Sequence, residues 1–194
     1  TRLASRVHKI FNTPVPLAKA KRAYDYKTAA KWVQAAVRPL GKEYAARMKQ
    51  LFTKGWLMVQ EKDKGAPMSF SGNVFGVHSY GMVEDTGDGN FVFSLSRQAN
   101  RMLHMDFSAQ NQRFHYSAPL PPVQDALTYL NHRLMLDYVL KTIKDPQSRA
   151  AFLDIAVRRI LGTYYMSAMQ AELELQAHAV VAKGAPLTEE LLKN

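Results

Sequence analysis

The sequence predicts a mainly α-helical domain carrying one small antiparallel β-sheet. Three observations carry that expectation. Apolar residues recur at three- and four-residue spacing over most of the chain, the mark of helices with one buried face. Between Trp56 and Val83 the pattern changes to apolar residues alternating with Ser and Gly, rich in Val, Phe and Tyr, which reads as strands. Pro, Gly and Asp punctuate the boundaries. At 194 residues and 47% hydrophobic content the chain can bury a sizeable core as one domain, and no apolar run approaches membrane-spanning length. Cysteine is absent, which excludes disulfide frameworks and thiolate metal sites and fits a reducing compartment or indifference to redox.

Taken in order, Asn12-Thr13-Pro14-Val15-Pro16 reads as a linker. A helix is expected over 28–37, ended by the Arg38-Pro39 step and burying Ala29, Trp32, Val33 and Ala36. After Leu40-Gly41 a second runs from Lys42 to Thr53 and buries Tyr44, Ala45, Met48 and Phe52. Strands over 56–60 and 67–83 are separated by the turn residues Lys62-Asp63-Lys64-Gly65. Glu84-Asp85-Thr86-Gly87-Asp88-Gly89-Asn90 lacks the carboxylate spacing and closing Glu of a calcium loop and reads as a solvated turn. Past Ala118-Pro119-Leu120-Pro121-Pro122, a helix with proline in its first turn carries Val123, Ala126, Leu127, Leu130 and Leu134 on one face, and Asp125, Tyr129 and His132 on a neighbouring one. Asp145-Pro146 caps a long helix reaching about Lys183 and closed by Gly184, and Thr188-Glu189-Glu190 starts a final short turn.

Charge is unevenly placed. The first 54 residues hold 13 Lys and Arg against Asp25 and Glu43, a net of +11, so the other 140 carry −1 of the overall +10. The opening Thr1-Arg2-Leu3-Ala4-Ser5-Arg6-Val7-His8-Lys9-Ile10-Phe11 is basic, amphipathic and free of acid, like a mitochondrial presequence or its remnant, with an ordinary basic loop as the rival reading. Residues 1–23 are therefore expected to be a basic extension and 24–194 the domain. Mitochondrial placement is expected, with cytoplasmic as the alternative. Residues 1–54 should contact an anionic surface, whether an acidic subunit, RNA or lipid. Tyr24, Tyr26, Trp32 and Tyr44 interleave with the basic residues at helix spacing, which favours core over base stacking.

The organising stretch runs from Phe91 to His104. As a helix it buries Phe91, Leu95, Ala99, Met102 and Leu103, and turns Arg97, Arg101 and His104 to the opposite face. Residues at i and i+4 are what a zinc-binding helix uses when it carries His-Glu-x-x-His. Here both ligand positions are Arg, and Gln98 stands at the general-base position. A guanidinium remains protonated and donates only, so it cannot ligate a cation. No two of the six His lie four residues apart, and there is no Gly-x-Ser-x-Gly elbow, phosphate loop or dinucleotide fingerprint.

The flanks of this stretch resemble the C-terminal catalytic region of the oligoendopeptidase F and thimet oligopeptidase family of zinc peptidases. The resemblance is carried by Phe93-Ser94-Leu95, His104, Asn111-Gln112, Asp137-Tyr138-Val139-Leu140-Lys141-Thr142-Ile143, and Gly162-Thr163 followed by Met169-Gln170-Ala171-Glu172-Leu173-Glu174. Upstream, Tyr24-Asp25-Tyr26, Pro39-Leu40-Gly41-Lys42-Glu43-Tyr44, Lys64-Gly65 and His78-Ser79-Tyr80 follow in the same order. It implies a zincin-like helical lobe, about one lobe of a longer enzyme, and zinc as the family's cofactor. By register from Asp137-Tyr138, the family's third ligand, a Glu, corresponds to Asp125. His78 resembles a substrate-contacting His on a sheet edge, with Tyr80 beside it. His104 is not a ligand position in such relatives, and Tyr164 and Tyr165 are expected in the core rather than in catalysis.

Arg97, Gln98, Arg101 and Asp125 are thus degenerate positions, at which zinc and catalysis are expected to be lost. Removing the cation would strand the acid, so Arg97 or Arg101 is expected to pair with Asp125. The function expected is that of an inactive peptidase-like protein, a structural or scaffold subunit partnered by other protein subunits. Two alternatives stand beside it: a lobe of a zinc oligopeptidase completed by residues elsewhere or by a partner chain, and a non-hydrolysing peptide-binding module.

Overall fold

The computed structural model describes residues 24–61 and 69–189. The basic extension 1–23, the 62–65 turn and Glu190 of the terminal turn lie outside the described residues. These fall into two compact units, one reaching Leu153 and one starting at Asp154.

In the first unit, helix α1 (Tyr26–Ala36) starts at Asp25, whose carboxylate accepts the Thr28 backbone N–H at 2.8 Å. It buries Ala29, Ala30, Val33 and Ala36. A 3-10 turn at Arg38–Leu40 holds the expected proline stop, and Gly41 at φ +104° opens α2 (Lys42–Thr53). Met48 and Leu51 are the fully buried residues of α2, while Tyr44, Ala45 and Phe52 are half-buried.

The sheet is mixed rather than antiparallel. Strands β1 (Leu57–Glu61), β2 (Phe70–Asn73) and β3 (Ser79–Asp85) lie in the order β1-β3-β2, with β1 parallel and β2 antiparallel to β3. Alternation in sequence reports which face a residue takes and says nothing of strand direction. β1 and β2 thus form opposite edges, and β2 turns through a hairpin into the central β3.

Helix α3 (Gly89–Asn111) packs under the sheet. Asp88 caps it, accepting the Phe91 N–H at 3.1 Å and the Thr86 hydroxyl at 2.6 Å, so the acidic turn is a capping loop. Phe91, Leu95, Ala99, Met102 and Leu103 are all buried, as the periodicity predicts. Gly81 on β3 makes this approach possible. A Cβ there would sit 2.6 Å from the Met102 sulfur and 3.1 Å from Leu57 Cδ1, inside normal packing distance.

Helix α4 (Pro121–Thr142) corrects the expected apolar face. Val123, Leu127 and Leu130 are exposed, while Gln124, Thr128, Asn131, His132, Met135 and Val139 are buried, facing α3 and α1. Two members of this polar stripe meet part of their hydrogen bonding within their own helix: the Thr128 hydroxyl donates to the Gln124 carbonyl at 2.9 Å and the Asn131 amide to the Leu127 carbonyl at 2.9 Å. After a short break, Asp145 accepts the Ser148 N–H at 2.8 Å and starts α5 (Pro146–Ile160). The Arg149 guanidinium donates to the carbonyls of Leu140 and Ile143 near the end of α4. Phe152 is fully buried against Tyr24, Trp32 and Phe93.

The helical run expected from Asp145-Pro146 to about Lys183 is kept, with a π-helical stretch within it. A π-helical turn at Leu161–Met166 leads into α6 (Ser167–Ala182), and Gly184 at φ +78° closes it. Asp154 and Arg158 pair at 2.8 Å, one turn apart. Tyr164 is 71% exposed, against the core placement expected for it. Leu173, Leu175 and Val181 are also exposed, and α6 has no buried residue.

Candidate functional site

The degenerate positions of α3 line a pocket of about 250 Å³ between that helix and β2. Its walls are Ser94, Arg97, Gln98 and Arg101 from α3, and Ser69, Phe70 and Ser71 at the sheet edge. The spacing that turns Arg97 and Arg101 the same way is the helical period. β2 brings the serines because it is an outer strand of the sheet lying over α3. Arg97 is exposed and Gln98 is buried.

Three buried polar atoms here have no hydrogen-bond partner among the described residues: Ser71 Oγ, Gln98 Oε1 and Arg101 Nε. Neither guanidinium forms an ion pair with an acid among the described residues. Asp125 is exposed near the start of α4 and does not line the pocket. The expected pair between Asp125 and Arg97 or Arg101 is therefore not formed. The inward stripe of α4 begins at Gln124, and Asp125, one residue on, is turned past its edge. Solvent hydrates the carboxylate there, which removes the reason for a buried partner.

The donor set does not fit zinc. Two guanidiniums and an amide stand where a tetrahedral ion needs imidazoles and a carboxylate. Among the described residues no three His, Asp or Glu come together as a metal group. Gln98, an amide at the general-base position, cannot take up the proton of an attacking water.

The other candidates lie elsewhere. His104 lines a separate apolar pocket with Tyr44, Asn100, Phe107, Leu127 and Leu130. Its Nδ1 is buried without a partner, and burial pushes its pKa down. In the same pocket the Tyr44 hydroxyl donates to Asn100 Oδ1 at 2.7 Å, and burial pushes its pKa up to about 12. His78 precedes β3, the central strand, rather than lying on a sheet edge. Its ring stacks on Trp56 at 3.7 Å between centroids and approaches Tyr80 at 4.4 Å. Tyr80 is 46% exposed on the outer face of the sheet.

Sequence reasoning missed Asp106. Its Oδ1 accepts the Ser79 backbone N–H at 2.6 Å and the Ser79 hydroxyl at 2.7 Å, with the Asn73 amide at 3.4 Å, tying the β2-β3 hairpin to α3. The signal was present: Asp106 continues the stripe of Met102 and Leu103 at i+4 and i+3, and an acid on a buried stripe needs a partner.

No family model matches the chain. The chain is similar to oligopeptidase PepF of Bacillus subtilis, 26% identical over 95% of this chain and 28% of the relative. It is 24% identical to the chromosomal oligoendopeptidase F of Lactococcus lactis subsp. cremoris over 96% of this chain and 31% of that one. It is also 24% identical to group B oligopeptidase PepB of Streptococcus agalactiae, over the same shares. The chain thus spans less than a third of the length of these relatives. A crystal structure of a Chlamydophila abortus protein assigned as a peptidase superposes with a TM-score of 0.72 at 25% identity, covering 87% of this chain and 28% of that one. The mainly helical fold with its small mixed sheet is a peptidase-like fold, and over nearly its whole length this chain is a relative of the oligoendopeptidase F peptidases.

Proposed function

We propose that this chain is a non-hydrolysing peptidase-like protein that serves as a structural or scaffold subunit of a larger assembly. The observation that carries this reading is the pocket on α3, where Arg97, Gln98 and Arg101 stand in the positions that the family resemblance gives to His, Glu and His. Fixed positive charge there opposes a divalent cation, and among the described residues that line this pocket there is neither a zinc ligand set nor a general base for the family's reaction. The apolar residues displayed on α4 and α6 suit a chain covered by other polypeptide. Lys27, Lys31 and Arg38, part of the basic stretch 1–54, line one groove, which suits an acidic protein surface or RNA. Mitochondrial placement goes with this reading through the basic first residues. Quenched-fluorescence peptides incubated with the purified chain test it. No turnover above a mock preparation is expected, and hydrolysis that a chelator abolishes would refute it.

A second reading, a peptide-binding module without hydrolysis, is favoured by one observation. Met58, Phe70 and Tyr80 form an exposed apolar outer face of the sheet beside the outer strand β2, which an extended segment could lengthen.

A further inference from the structure

The pocket on α3 has a polarity that scaffold duty leaves unused. Three of the seven described residues that line it hold buried polar atoms without a partner among the described residues. Gln98 is only 4% exposed, so water does not readily satisfy its amide. Arg97 and Arg101 lie one helical turn apart with no acid paired to either among the described residues, and like charges at that spacing repel. Such an arrangement is unfavourable until an anion enters. We propose that this pocket binds a doubly charged tetrahedral oxyanion of the phosphate class, free or as a monoester.

Charge and donor placement select that class. Two guanidiniums supply two positive charges, which one dianion balances and one carboxylate does not. Donors come from two sides, with the forks of Arg97 and Arg101 on the helix and the hydroxyls of Ser69 and Ser71 on the sheet edge. A planar carboxylate offers two oxygens to such a set, a phosphate group three or four. Arginine forks match phosphate geometry directly. The Gln98 amide completes the floor, through its NH₂ to an oxygen or its Oε1 to a protonated one. The site keeps the place of a metal centre in the fold and reverses the sign of what it holds.

The test measures binding of inorganic phosphate, phenyl phosphate, acetate and chloride to the full chain at matched ionic strength, by calorimetry and by ³¹P line broadening. Phosphate, phenyl phosphate or both should bind saturably with one site per chain. The more tightly bound of the two distinguishes a free ion from a phosphorylated ligand. Replacing both arginines by Gln should weaken binding by about tenfold or more, and Ser71→Ala by less. Arg133→Gln on the exposed face of α4 should leave it unchanged. Should the double variant fail to fold, Arg97→Gln alone, at an exposed position, serves the same purpose. Phosphate binding that survives the arginine substitutions, that acetate equals, or that chloride reproduces would overturn the proposal. None of these outcomes depends on whether the chain hydrolyses peptides.

Discussion

Asp106 and Ser79 are joined twice, the carboxylate accepting both the backbone N–H and the hydroxyl of the serine, at 2.6 and 2.7 Å. This contact fastens the start of the central strand to the helix that carries the site. Asp106→Ala leaves two buried donors unsatisfied and should cost about 2–4 kcal/mol. Asp106→Asn keeps an accepting oxygen and should cost less. Urea unfolding midpoints of the two variants measure this; equal loss in both would mean that the charge, rather than the acceptor, holds the hairpin.

Gly81 predicts a second sensitivity. The Cβ introduced by Gly81→Ala meets Met102, Leu57 and the Phe70 carbonyl, and Met102 and Leu57 are themselves buried. Overpacking of this kind costs about 1–3 kcal/mol. Thermal unfolding of Gly81→Ala alone and with Met102→Ala checks the cause, since the second change should recover part of the first if the sulfur is the obstacle.

Asp88 predicts a pH dependence. Burial acts to raise its pKa, but hydrogen bonds from Thr86, Asn90 and the Phe91 N–H outweigh it and hold the carboxyl below its usual range. A carboxylate depressed in the folded state contributes stability above its unfolded pKa of about 3.9 and loses it as pH falls through the folded value. Asp88→Ala should therefore cost about 1 kcal/mol at neutral pH and little in strong acid. Urea titrations at several pH values would show the two stability curves converging at low pH; a constant gap would remove the ionised cap from the account.

The helix boundaries were legible because they rest on local chemistry. Pro39 and Gly41 end and begin α1 and α2, and Asp145 caps α5 whatever packs around them. The buried stripe of α3 was legible because apolar period and burial agree there. On α4 they disagree: Thr128 and Asn131 bond their own helix and turn inward, leaving Val123, Leu127 and Leu130 outside. Composition alone does not report that exchange. Within the pocket, Arg97, Gln98 and Arg101 could be read from their spacing, whereas Ser69 and Ser71 join them only through the tertiary placement of β2. Strand direction was hidden for the same reason, since β1 meets β3 through a crossover that no local pattern encodes.

The basic first third predicts how partners are held. If residues 1–54 contact an anionic surface, that binding should weaken steadily as salt rises, because screening and counterion release both oppose it. Charge reversal at Lys27 and Lys31, in the groove of α1, should weaken it further. Affinity for a co-purifying subunit or RNA that holds from low to high salt would take this region out of the interface.

Zinc content of the purified full chain tests the central claim most directly. The side chains of Arg97, Gln98 and Arg101 offer donors and fixed positive charge where the family resemblance places metal ligands, and Asp125 lies outside the pocket. Elemental analysis after exposure to excess zinc and dialysis should find well under one ion per chain, with Asp125→Ala indistinguishable from the parent. One tightly held zinc per chain that disappears on substituting Asp125 would contradict the account.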